Sequence, residues 1–129
     1  MNDDPVTSPK YVLAIDDEPE ILEIIQRCLE GEGVPVLTAL GAKNGLEAYE
    51  KRRREIGLVL LDYVMPDMTG DLVLECLQRV NPEVRVILLT GCDDRVARNM
   101  FEAGLSGYIR KPFYIDDLLQ RVRDELSQV

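Results

Sequence analysis

Residues 58–71 read LVLLDYVMPDMTGD, an apolar run that ends on a carboxylate, Asp62, and passes into a segment punctuated by Pro66 and Gly70. Leu58, Val59, Leu60 and Leu61 in unbroken succession suit a strand buried on both faces rather than one side of a sheet. The carboxylate then falls where the strand leaves the sheet, and the turn residues lead the chain toward a helix. The same unit recurs along the chain. Short apolar runs at residues 11–15, 34–39, 84–89 and 107–110 alternate with segments of helical period. Ile21, Leu22, Ile25 and Leu29 share a face, with Pro19 at the start and Gly31 at the stop. Leu72, Val73, Leu77 and Val80 repeat the pattern after Gly70, and Ile115, Leu118, Leu119, Val122 and Leu126 form the stripe of a last helix. Residues 43–55 predict a helix closing on KRRRE, whose cations suit the C-terminal end of the helix dipole. Residues 95–103 carry a weaker stripe of Val96, Met100 and Phe101. Five alternating strand–helix units predict an α/β fold, a parallel sheet with helices on both faces. It is expected to occupy residues 10–129 as one domain, with residues 1–9 a loose tail.

Composition narrows the function. The 129 residues carry a formal charge of -9, which speaks against a phosphate-backbone binder, so no nucleic acid is expected on this domain itself. No apolar run approaches the roughly 18 residues of a membrane span. MNDDPVTSPK has neither the basic nor the apolar region of a secretory leader, so a cytoplasmic location is expected. Cys28, Cys76 and Cys92 are odd in number and widely spaced, which suits reduced thiols better than a disulfide framework or a zinc site. The chain has no histidine, which excludes Ser-His-Asp and Cys-His nucleophiles.

In an open α/β sheet, function gathers at the carboxyl ends of the strands. The first strand ends in Asp16-Asp17-Glu18, the third in Asp62, the fourth in Thr90 and the fifth at Lys111-Pro112. Taken singly, each has an ordinary reading as a turn, a cap or a solvated charge. Together they place carboxylates, a hydroxyl and an amine on one rim. Clustered carboxylates repel one another unless a cation lies between them, and oxygen-only ligands favour a hard cation, Mg²⁺ before zinc. Such a cation with a lysine would hold phosphoryl oxygens, and an Asp carboxylate can itself be the nucleophile.

IDDEPEI at the first strand, LLDYVMPDMTG at the third, LLTG at the fourth and YIRKPF around the fifth resemble a response-regulator receiver domain over roughly residues 9–127. The resemblance implies a flavodoxin-like (βα)5 sandwich with strand order 2-1-3-4-5. It makes Asp62 the phosphoacceptor. Asp17 and, less directly, Asp16 serve Mg²⁺, with a further ligand from the Val64 carbonyl. Thr90 becomes the switch hydroxyl, Lys111 the phosphate-pairing amine before a cis Pro112, and Tyr108 the rotating aromatic. The implied donor is a phosphohistidine of a histidine kinase or phosphotransfer protein. The implied readout is the face made by the fourth helix, fifth strand and fifth helix, serving an output domain, a partner protein or a homodimer. Val64 and Cys92, two residues beyond Asp62 and Thr90, carry no carboxylate or amide to orient water, so slow self-dephosphorylation is expected. A haloacid-dehalogenase-type phosphatase would need a second Asp where Val64 stands. A flavodoxin would need a Ser/Thr/Gly-rich loop after the first strand, and no GxGxxG or P-loop motif marks a nucleotide site. The contrasting reading is a constitutive docking module with a vestigial acidic site.

Overall fold

The computed structural model describes residues 10–91 and 94–127. The expected tail at residues 1–9, and Cys92, lie outside the described residues. The elements alternate: β1 (Tyr11–Asp16), α1 (Pro19–Glu30), β2 (Val36–Leu40), α2 (Ala42–Arg52), β3 (Ile56–Asp62), α3 (Gly70–Val80), β4 (Val86–Thr90), α4 (Asp94–Glu102), β5 (Gly107–Arg110) and α5 (Ile115–Leu126). All strand pairings are parallel, in the order β2-β1-β3-β4-β5.

The continuous apolar runs are explained by the two cores they serve. Successive side chains of a strand point to opposite faces. Leu13, Ile15, Val59, Leu61 and Leu88 therefore pack on the side covered by α2, α3 and α4, against Tyr49, Val73, Leu77 and Met100. Val12, Ala14, Leu58, Leu60 and Ile87 pack on the other side, against Leu22, Ile25 and Leu29 of α1 and Leu118 and Val122 of α5. The chain first winds outward from β1 to β2, then crosses back to β3 on the far side of β1. The direction thus reverses between β1 and β3, and the two strands deliver Asp16 and Asp62 side by side at that reversal.

Several boundaries differ from the sequence reading, some for local reasons and some through pairing with distant residues. β2 begins at Val36 rather than 34, because the Val34 N–H donates to the Leu29 carbonyl at 3.0 Å and closes the end of α1. β4 begins at Val86 rather than 84, because the Val84 N–H is spent on the Asn81 carbonyl in the turn after α3. β3 reaches back to Ile56, which pairs with Tyr11. The helix read over 43–55 ends at Arg52, and Arg53–Glu55 form a 3₁₀ turn that feeds Ile56 into the sheet. Arg52 is held there by Glu55 at 2.7 Å and lies 4.9 Å over the Tyr11 ring. On α4 the buried stripe is Ala97 and Met100, whereas Phe101 is 43% exposed. Cys28 and Cys76 are free thiols. Among the described residues no helix is long and apolar enough to cross a membrane.

Candidate functional site

Asp16 is the last residue of β1 and is 1% exposed; Asp62 ends β3 and is 7% exposed. The register Ile15↔Leu61 brings the two carboxylates onto neighbouring strands one step beyond the last pair. Asp16 is oriented by its own turn, since Oδ1 accepts the Glu18 N–H at 3.0 Å. Its Oδ2 accepts from Lys111 Nζ at 3.2 Å, and Asp62 Oδ1 accepts from the same amine at 3.2 Å. Asp17 is half-buried, and one ligand oxygen from each of Asp16, Asp17 and Asp62 lies within 4.8 Å of the others. Among the described residues this is the one such acidic group.

Lys111 arrives from the fifth strand through a backbone bond, its N–H donating to the Thr90 carbonyl at 2.9 Å. The Lys111–Pro112 peptide is cis. Burial of the amine works against its charge, but Asp16 and Asp62 outweigh that and hold its pKa above the usual lysine range. Burial, reinforced by the Asp16 charge, pushes the Asp62 carboxyl up to about 6 against the opposing attraction of Lys111. The cluster is therefore over-supplied with negative charge and all of its donors are oxygen, a set that fits a hard divalent cation.

Thr90 is 2% exposed at the end of β4 and pairs in register with Arg110. Tyr108 sits two residues earlier on β5, opposite Leu88. Its ring meets Phe101 of α4 edge to face, centroids 5.8 Å apart and planes at 76°. The structure thus gathers Asp16, Asp17, Asp62 and Lys111, sets Thr90 at the end of the neighbouring strand, and packs the Tyr108 ring against Phe101 of α4.

Val64 stands in the loop 63–69, its side chain 63% exposed. The loop is closed by the Gly70 N–H donating to the Tyr63 carbonyl at 2.8 Å. A Cβ at Gly70 would come within 2.9 Å of the Tyr63 Cα, so only glycine allows this closure. Met65 anchors the loop in the core. Asp67, which the sequence reading passed over, spans to α2 and accepts from the Ala42 N–H at 3.3 Å and the Lys43 N–H at 3.0 Å. The Lys43 amide, opposed by slight burial and aided by Ala42, holds its carboxyl below the usual range. Its partners lie 24 and 25 residues upstream, beyond any local pattern. A groove of about 880 Å³ lined by Lys10, Tyr49, Arg54, Asn81 and Arg85 lies at the opposite, amino-terminal ends of the strands, away from this chemistry.

The chain is similar to known proteins along most of its length. The family model for the response regulator receiver domain matches residues 12–123. The probable transcriptional regulatory protein TcrX of Mycobacterium tuberculosis is 37% identical over 118 residues, covering 89% of this chain and 49% of the relative. The uncharacterized transcriptional regulatory protein YkoG of Bacillus subtilis is 36% identical over 121 residues, covering 92% of this chain and 51% of the relative. The chain thus spans about half the length of these relatives. A response regulator receiver domain from Clostridium thermocellum superposes with a TM-score of 0.88 at 32% identity, over 92% of this chain and 95% of that one. With the sheet order, the acidic rim and the match along nearly its whole length in agreement, the chain belongs to the response regulator receiver domain family.

Proposed function

We propose that residues 10–129 act as one phosphoacceptor receiver unit of a two-component pathway, in which Asp62 takes a phosphoryl group from a phosphohistidine of a sensor kinase or phosphotransfer protein. The observation that carries this reading is the meeting of Asp16, Asp17 and Asp62 within 4.8 Å, with Lys111 Nζ 3.2 Å from both Asp16 and Asp62. Asp16, Asp17, Asp62 and the Val64 carbonyl would hold Mg²⁺, which supplies neutralisation of the transferred oxygens. An Asp62 oxygen bonds to phosphorus as the phosphorus–nitrogen bond of the donor breaks. The leaving imidazole nitrogen keeps the bonding pair and takes a proton. Lys111 exchanges a carboxylate partner for a phosphoryl oxygen, and the Thr90 hydroxyl takes another. Movement of Thr90 opens space for Tyr108 to turn inward from its contact with Phe101, which remodels the face formed by α4, β5 and α5. That face then addresses an output domain, a partner protein or a second copy, as a population shift between two states. The setting is cytoplasmic, and a domain with a charge of -9 leaves nucleic-acid contact to other parts of the pathway.

The test is incubation with acetyl phosphate and Mg²⁺. A single saturable band shift on a phosphate-affinity gel is expected, lost in Asp62→Asn and in EDTA. Amide shifts should concentrate on α4, β5 and α5, followed by NMR because the chain has no tryptophan. If wild type and Asp62→Asn respond alike, the domain is a constitutive docking module with a vestigial acidic site. The exposed aliphatic Val64 offers no group to orient an attacking water, so the phosphoryl group should persist for minutes or longer. A half-life of seconds after donor removal would overturn that part of the reading.

A further inference from the structure

The first amides of an α-helix have no partner within the helix. At α2 the N-cap is Gly41, with φ of 90° and no side chain to serve them. The Asp67 carboxylate does so from another loop, Oδ1 on the Ala42 N–H and Oδ2 on the Lys43 N–H. The same turn is bonded on its other side to the acidic rim, since the Gly41 N–H donates to the Asp16 carbonyl at 2.8 Å. One short turn therefore links the backbone of Asp16 to the side chain of Asp67. These belong to the two segments that carry the carboxylate cluster.

We infer that Asp67 is a positioning residue for the cation site: by bridging its loop to the start of α2, it fixes the segment from Asp62 through Val64 relative to Asp16. This rests on the reading that the acidic rim binds Mg²⁺. Asp67 itself touches none of the reacting atoms. The bridge spans the point where the sheet changes winding direction. There β1 and β3 are adjacent, but their following loops run to opposite faces. Without the bridge, the loop 63–69 keeps its closure at Gly70 and its Met65 anchor but loses its tie to the β2–α2 turn.

The experiment measures Mg²⁺ affinity by calorimetry and amide hydrogen exchange in EDTA. Asp67→Ala should weaken Mg²⁺ binding roughly three- to tenfold, the scale of a lost helix cap. It should also speed exchange across residues 63–69 and at Ala42 and Lys43. Asp67→Asn keeps one acceptor oxygen without the charge, enough for one of the two amides, and should recover part of the affinity. Glu47→Gly, on the exposed side of α2, loosens the helix without touching the bridge and should leave the affinity unchanged. Unchanged Mg²⁺ affinity in Asp67→Ala overturns the inference. So does Asp67→Asn as weak as Asp67→Ala, which would point to attraction at a distance. So does an equal loss in Glu47→Gly, which would reduce the effect to helix stability. A wild-type domain that binds no Mg²⁺ at millimolar concentration refutes the functional reading instead. In that case exchange alone decides the bridge, and unchanged exchange in Asp67→Ala refutes it.

Discussion

Replacing Asp62 with Asn should make the metal-free domain more stable at pH 7.5 while removing its proposed phosphoacceptor. The Asp62 carboxyl is raised from its ordinary 3.8 to about 6 by burial and by Asp16. A carboxyl raised in the folded state holds its proton more tightly there than in the unfolded chain. Stability therefore falls as pH rises from about 4 to about 6, and the deficit is complete above that. At about 1.36 kcal/mol per pKa unit, the ionised group costs about 3 kcal/mol at pH 7.5. That figure already contains the opposing attraction of Lys111, and asparagine stands in for the neutral carboxyl, so a gain of roughly 1–3 kcal/mol is expected, or about 3–10 °C in Tm. Urea titrations followed by far-UV circular dichroism in EDTA at pH 7.5, 6 and 4.5 provide the assay. The gap between variant and wild type should be widest at pH 7.5 and fall to roughly a third of that at pH 4.5. Millimolar Mg²⁺ should narrow it from the other side by stabilising the wild type. A variant no more stable than wild type at pH 7.5, or a gap that ignores pH, would refute the electrostatic account of the cluster.

Lys111→Met leaves Asp16 and Asp62 buried without their counter-charge and should cost about 2–4 kcal/mol in EDTA, by urea titration. Part of that loss should return in Mg²⁺, and an equal loss in Mg²⁺ and EDTA would deny the shared electrostatics. Gly45→Ala drives a Cβ to within 2.5 Å of the Ile15 side chain, so calorimetry should show a loss of about 1–3 kcal/mol from overpacking under the acidic rim. Thr90→Ala should still accept phosphate from acetyl phosphate with Mg²⁺ but show a reduced amide-shift response across α4, β5 and α5. A normal response would sink the proposed coupling.

The sheet was legible because its strands are buried on both faces, so the residues at 58–61 had to be apolar without a break, and the same held for 11–15. Where an element's end depends on a partner far along the chain, the reading slipped. The 3₁₀ turn at Arg53–Glu55 leads into Ile56, which pairs with Tyr11, and of the weak α4 stripe Val96 and Met100 pack on the core while Phe101 is exposed and meets Tyr108. Strand order was implied by resemblance rather than by pattern, and the observed order agrees with it.

The chain by itself determined which residue types end which strands: Asp16 and Asp17 after the first, Asp62 on the third, Thr90 on the fourth and Lys111 beyond the fifth. Local pattern suffices for that, since strand periodicity and turn residues act over a few neighbours. Only the tertiary structure decided the numbers that make them a site. The shared 3.2 Å contacts of Lys111, the rise of the Asp62 carboxyl and the Asp67 bridge to α2 each join groups separated by two dozen residues or more, or depend on burial that no single segment can supply. LVLLDYVMPDMTGD therefore names a strand and its carboxylate, while the fold sets the distance and charge at which that carboxylate meets its partners.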